Sequence, residues 1–309
     1  MKIKKRFLAI SLLIPIALPL FAISCANYSE RSSLNKLIDT SQVVTNKDID
    51  NNEAKSELIL NNLLSRTFKN EIDRVNFLNQ QNDSNYQNTL LDQLNSLKQD
   101  FLKAKQDNNQ TQMDLTANKL ADLYSQNWYF FFKNLSKFSG TFNDFVIINK
   151  TKDNFHSAQY LNQVKNKTPY RDFRYLTNYI DSIKVGEESA ELGDSSVLYI
   201  AKDKSVFRVT IRNESLDKPT LSIRPYIWYF GDFGARNISL SIISRIWHSA
   251  VIHNYQEGYE LFEKSLIKDQ NYGIPAKFVL LPKINAIQEE SPASQTSNTK
   301  ESKTQKNEN

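Results

Sequence analysis

Apolar residues in the first half of the chain recur at steps of three and four. Between residues 53 and 78 they fall at Leu60, Leu63, Leu64, Phe68, Ile72, Val75 and Leu78, which predicts one amphipathic helix with these side chains on a single face. Residues 88–105 repeat the pattern through Leu90, Leu94, Leu97, Phe101 and Ala104, and the run Asp107-Asn108-Asn109 breaks it. A third helix is expected over about 111–138, carrying Met113, Ala117, Leu120, Tyr124, Trp128, Phe131 and Leu135. Three such helices joined by polar breaks predict a bundle.

From about residue 145 the period shortens. Phe145-Val146-Ile147-Ile148 is an apolar run suited to a strand. Residues 196–212 predict a β-hairpin, with Lys202-Asp203-Lys204-Ser205 as its turn. In its second strand Phe207, Val209 and Ile211 alternate with Arg208, Thr210 and Arg212, the mark of a strand with one wet face. Residues 220–230 alternate again, and Pro225 makes that segment an edge strand or a bulged one. Helical spacing returns over 236–268 through Ile238, Ile242, Ile246, Ala250, Tyr259, Phe262 and Leu266. The expected architecture is α+β: an N-terminal helical bundle followed by a small antiparallel sheet and a C-terminal helix.

The folded part is thus bounded to residues 53–283, helical over 53–140 and mixed α/β over 141–283. Residues 26–52 are polar and read as a flexible tether, and 284–309 as a disordered Ser/Thr/Asn/Gln-rich tail. Ahead of the tether, residues 2–6 are basic and residues 7–23 almost wholly apolar, and a small residue, Ser24, precedes the only cysteine, Cys25. Charge, apolar core and small residue in that order read as an export leader over residues 1–24. A spanning helix wants about 20 apolar residues. This run is shorter and is interrupted by Pro15 and Pro19, which remove helix donors.

Composition changes the picture at one point. The net charge of +5 suggests a basic protein. Cleavage after Ser24 removes Lys2, Lys4, Lys5 and Arg6 and no acid, leaving 35 basic residues against 34 acidic ones. Bulk charge therefore gives no reason to expect a nucleic-acid partner. With a single cysteine there is no intrachain disulfide, so stability must come from core burial.

The stretch Ala22-Ile23-Ser24-Cys25 resembles the lipobox of bacterial lipoproteins, with Ala22 where that family usually has Leu. The resemblance implies cleavage between Ser24 and Cys25, and a diacylglyceryl thioether on Cys25 that anchors the chain on the outer face of the cell membrane. Two acyl chains hold stably where one does not.

Aromatic residues crowd two places. Residues 124–145 hold nine of them, and a second group is Tyr226, Trp228, Tyr229, Phe230 and Phe233. The triplet Trp-Tyr-Phe occurs in both, at 128–130 and 228–230. Trp128, Tyr129, Phe130, Phe131 and Phe132 are consecutive, and a helix turning about 100° per residue cannot aim all five at one side. Two readings stay open for this set and for Trp228, Tyr229 and Phe230. They form the junction between the two halves, or they line a membrane-facing or ligand-binding surface. At Asn127-Trp128-Tyr129-Phe130-Phe131, and in its leader and Lys/Asn/Ile-rich composition, the chain resembles a mycoplasma family of surface lipoproteins described by an aromatic motif. That resemblance implies a cell-surface compartment rather than a mechanism.

Catalytic signals are weak. There is no phosphate-cradling glycine loop and no G-x-S-x-G elbow. Asp232-Phe233-Gly234 matches a kinase triplet in letters only, without the loops that accompany it. His248 and His253 are five apart, about 140° around an α-helix, so a metal site there needs carboxylates from elsewhere in the chain. No metal ligand or cofactor is assigned. Glu187, Glu188, Glu191 and Asp194 read as a solvated loop. Arg208, Arg212 and Arg224 read as solvated sheet charges, with phosphate or acidic glycan as the alternative ligand. The expected role is therefore non-enzymatic: a membrane-anchored surface lipoprotein that binds a host or partner protein. The alternative is an accessory or substrate-binding lipoprotein of a transport or secretion system.

Overall fold

The computed structural model describes residues 49–148, 155–173, 176–231 and 238–283. The leader, Ser24, Cys25, the tether up to residue 48, Asp232-Phe233-Gly234 and the tail from residue 284 lie outside the described residues. Among the described residues no helix is long and apolar enough to cross a membrane.

The chain opens with helices α1 (Ile49–Thr67), α2 (Glu71–Asn82), α3 (Ser84–Gln106) and α4 (Gln110–Gln126). The single helix expected over 53–78 is two. Asn70 caps α2, its Oδ1 accepting from Ile72 N–H at 2.8 Å, and the break turns Ile72 and Val75 out to solvent. The short polar side chains of Asp83 and Asn109 start α3 and α4 in the same way. The inward residues of α3 and α4 are as expected: Leu90, Leu94, Phe101, Met113, Ala117 and Leu120 are buried.

The long third helix stops early. A six-residue helix α5 (Trp128–Lys133) follows α4 after a break at Asn127, and a 3-10 turn (Leu135–Lys137) leads into strand β1 (Phe138–Phe145). Of Phe145-Val146-Ile147-Ile148, only Phe145 is in a strand, as the last residue of β1; the other three follow it outside any strand. Helix α6 (Ala158–Asn166) and strand β2 (Ser182–Val185) come next. The hairpin is β3 (Ser195–Lys202) and β4 (Ser205–Arg212), paired Lys202↔Ser205 around Asp203 at φ 51°. The segment 220–230 is split at Pro225 into β5 (Thr220–Ile223) and β6 (Ile227–Tyr229), which pair with opposite ends of β4. The last strand is β7 (Ala276–Pro282).

These strands form one antiparallel seven-stranded sheet in the order β1-β7-β6-β4-β3-β2, with β5 beside β4. Both faces are covered. On one, Phe207 meets the rings of Phe131 and Phe132, and Ser125 Oγ of α4 accepts from Ile223 N–H at 2.8 Å. On the other lie the C-terminal helices. The one helix expected over 236–268 is two, each passing from α to π geometry: α7 (Leu240–Ile246) runs into a π segment (Trp247–Ile252), and α8 (Gln256–Leu261) into another (Phe262–Asp269). Gly258 lets the second pair press on the first, since a Cβ there would lie 2.4 Å from Ala250 N. The face of β4 that reads as wet is thus an inner face near Arg208 and becomes solvent-exposed only at Arg212.

Candidate functional site

The five consecutive rings satisfy their geometric conflict by surrounding a helix too short to have an outside. Trp128, Tyr129, Phe130, Phe131 and Phe132 are all buried. Trp128 stacks on Phe77 of α2 with centroids 5.6 Å apart, and Phe131 packs against Tyr124, Phe138 and Phe207. This first cluster is the core junction between bundle and sheet. Its rings present no surface to a bilayer or a ligand.

The second cluster divides by strand alternation. Tyr229 points to the bundle side, stacked on Phe173 and close to Phe278, and Phe230 is buried against Tyr272. Trp228 points the other way, toward Trp247 and Phe262 of the C-terminal helices. Phe233 lies outside the described residues.

Trp228 is one wall of a cavity of about 170 Å³ between the sheet and the C-terminal helices. Register explains its other walls. Trp228 pairs with Val206 and with Lys277, and Arg208 pairs with Tyr199, so all project to one side of the sheet. Trp247 closes the cavity from above, with the Arg208 guanidinium 4.7 Å from its ring centroid. Arg224 and Tyr226, flanking the Pro225 break, form a further wall.

Behind Arg208 lies Glu188, wholly buried, whose Oε1 accepts from Tyr199 Oη–H at 2.6 Å and from Arg208 Nη2 at 3.3 Å. Neither residue belongs to a solvated surface: the Arg208 side chain is 10% exposed and that of Glu188 0%. Gly186 permits the turn, because a Cβ there would collide with the Glu188 carboxylate. Burial, then the adjacent Glu188 charge, push the Tyr199 hydroxyl well above its ordinary range, so it stays a donor. Desolvation, and after it Arg208 and Arg212, hold the Arg224 guanidinium below its usual value. Arg208 Nε, Trp247 Nε1 and Glu188 Oε2 are buried with no hydrogen-bond partner. Arg208, Arg224 and Lys277 line the cavity, with Glu188 behind Arg208 and Asp144 opposite Lys277 in the β1–β7 register.

The three histidines separate. His156 is buried. Its Nε2 accepts from Ile148 N–H at 3.2 Å, which leaves Nδ1 to donate to Glu263 Oε1 at 3.2 Å. His248 and His253 come together with Glu191 at the outer end of the π segment. Glu191 Oε1 lies 2.6 Å from His248 Nε2 and 2.9 Å from His253 Nε2, and the two Nε2 atoms are 2.9 Å apart. The expectation of a ring separation near 140° assumed α geometry. The bond from His253 N–H to His248 O, 3.1 Å, closes an i→i+5 turn that brings the rings to one side. Glu191 is exposed, as expected of the loop, but it is paired with both histidines; Glu188 is the buried departure from that expectation. Sequence reading missed Trp247, Tyr199 and the pairing of Glu191. The alternation of β4, which places Arg208 opposite Phe207, signalled Arg208 but none of these.

A family model described as an aromatic cluster surface protein matches residues 36–273. No curated protein and no solved structure matches the chain.

Proposed function

The chain belongs to the aromatic cluster surface protein family, and from that premise we propose a lipid-anchored protein of the outer membrane face whose role is non-enzymatic binding through the Trp228–Trp247 cavity. One observation carries the reading: the Arg208 guanidinium lies 4.7 Å from the Trp247 ring centroid, both residues line a cavity walled by aromatic rings, and Arg208 Nε and Trp247 Nε1 are each buried without a partner. Buried donors left open in a concave, ring-lined space are what a bound anion would satisfy. The ligand class is a small molecule or exposed side chain with an anionic group and a flat apolar body.

The test is a fluorescence titration of the full chain in detergent with phenyl phosphate, benzoate and the neutral analogue benzyl alcohol. Quenching by the two anions, absent with the neutral compound and lost in Arg208→Met, supports the reading. Equal responses to all three, or an unchanged response in Arg208→Met, removes it. The anchor is tested separately. Cys25→Ala abolishes palmitate labelling and partitioning into detergent, and retained labelling defeats that half of the proposal.

The same cavity would serve a second reading, an accessory or substrate-binding lipoprotein of a transport or secretion system, with a small anionic substrate in place of a host or partner group. Co-purification with permease subunits, set against adhesion of the chain to host cells or matrix, separates the two.

A further inference from the structure

We propose that Glu191, His248 and His253 form a binding site for a divalent transition-metal ion of the zinc class, going beyond the cavity described above and independent of it.

Three ligand atoms, Glu191 Oε1, His248 Nε2 and His253 Nε2, lie 2.6 to 2.9 Å from one another. Protons alone cannot satisfy that triangle. Each Nε2 offers either one N–H or one lone pair. If both are protonated, both donate to Glu191 and two N–H groups face each other at 2.9 Å. If only one is protonated, its single hydrogen serves one side of the triangle, and the other nitrogen presents a lone pair to the Glu191 oxygen or to its neighbour. If neither is, three lone pairs converge. A cation at the centre accepts all three lone pairs at once.

The surroundings support the same role. Glu187 Oε2 lies 3.6 Å from His248 Nδ1, an electrostatic contact longer than a hydrogen bond, from which a small rotation would let an outer carboxylate favour the tautomer that leaves Nε2 free to ligate. Tyr255 stacks on the His253 ring, 4.9 Å away and 11° from parallel, and holds its orientation. A π turn sets the spacing of the two histidines, and such turns are frequent at functional sites. A tetrahedral ion with ligands at about 2.0–2.2 Å separates them by roughly 3.4 Å. The three side chains must therefore spread by about half an ångström, a small movement for groups that are 23%, 29% and 42% exposed. Two imidazoles and one carboxylate favour zinc, cobalt, nickel or copper over magnesium or calcium. Three protein ligands leave one tetrahedral position for water or a group from a partner.

Isothermal titration of the full chain in detergent with ZnCl2 tests the site, with competition by CoCl2 and by a large excess of MgCl2 and CaCl2. One ion per chain, displaced by Co²⁺ but not by Mg²⁺ or Ca²⁺, is expected. Binding should weaken at least a hundredfold in the His248→Ala/His253→Ala protein, and tenfold to a hundredfold in Glu187→Gln, which removes only the outer carboxylate. Near-ultraviolet circular dichroism checks that each variant is folded. X-ray absorption at the zinc edge supplies a readout that needs no variant: scattering from two imidazoles is expected. Absence of saturable binding, binding unaltered in the double variant, or a zinc shell lacking imidazole overturns the proposal.

Discussion

Gln81 of α2 and Asn127 at the end of α4 are joined by a hydrogen bond from Nε2 to Oδ1 of 2.9 Å, and this pair holds the aromatic helix in place. Gln81 is buried, and its Oε1 accepts from Phe130 N–H at 3.2 Å. Phe130 sits in the third position of α5, where a cap side chain usually serves, and Asn127 itself makes no such bond. Asn127 is occupied elsewhere: its Oδ1 also accepts from Tyr86 Oη–H, and its Nδ2 donates to Leu123 O. A residue 49 positions away thus caps the helix that carries the five rings.

Replacing Gln81 with Leu keeps the volume but strands Phe130 N–H and one acceptor site on Asn127. A loss of about 1–3 kcal/mol is expected. Urea denaturation checks it, and a midpoint unchanged from the parent would show that α5 does not depend on this contact.

That arrangement explains what the sequence made legible and what it did not. The apolar spacing of α3 and α4 was readable because tertiary packing uses the face their periodicity already offers. The break at Asn127 was not, because the residue that stabilises it lies in another helix. β7 escaped for a different reason. It is central, between β1 and β6, so its Phe278-Val279-Leu280-Leu281 run is buried on both sides and shows no alternation. The cavity was half visible. Strand alternation places Arg208 opposite Phe207, but nothing local says that Trp247 will cover it. The histidine cluster was hidden by the π turn, since Trp247–Ile252 carries no pattern that separates π from α.

The two tryptophans of the repeated triplet should behave differently. Trp128→Ala empties a site in the central core, and a cost of about 3–5 kcal/mol is expected. Trp228 borders existing free space, so Trp228→Leu, which keeps much of the apolar contact, should cost less while weakening anion binding in the cavity. Chemical denaturation and the phenyl phosphate titration measured on both proteins check the contrast. Equal stability losses, with anion binding intact in Trp228→Leu, would refute it.

Gly258 gives a prediction for the C-terminal helices. Its missing side chain lets α8 touch the backbone of the histidine-bearing π segment, and the obstructing atoms are main-chain rather than a flexible tip. Gly258→Ala forces the two apart and is expected to destabilise by about 1–3 kcal/mol, as overpacking does. The same shift should disturb the His248–His253 spacing, so zinc affinity should fall along with the thermal midpoint. A variant as stable as the parent would show that the segments separate without cost.

Buried tyrosines set the alkaline limit of stability. Tyr124 donates to Leu280 O at 2.7 Å and Tyr160 to Val146 O at 2.5 Å, and burial raises both hydroxyls above the ordinary tyrosine value, with Glu263 adding to the effect at Tyr160. In the unfolded chain these groups lose their protons near pH 10. Above that pH the unfolded state binds fewer protons than the folded one, so unfolding free energy falls as pH rises. Below about pH 10 their contribution is complete, and it is lost progressively as pH climbs toward the raised folded values. Urea midpoints measured from pH 8 to 11 should therefore decline above about pH 10. The decline should be shallower in Tyr124→Phe, which has no proton to lose at that site. Tyrosinate absorbance of the folded protein gives the independent check: if Tyr124 ionises in step with free tyrosine while the chain is still folded, burial does not hold its proton and the predicted slope should vanish.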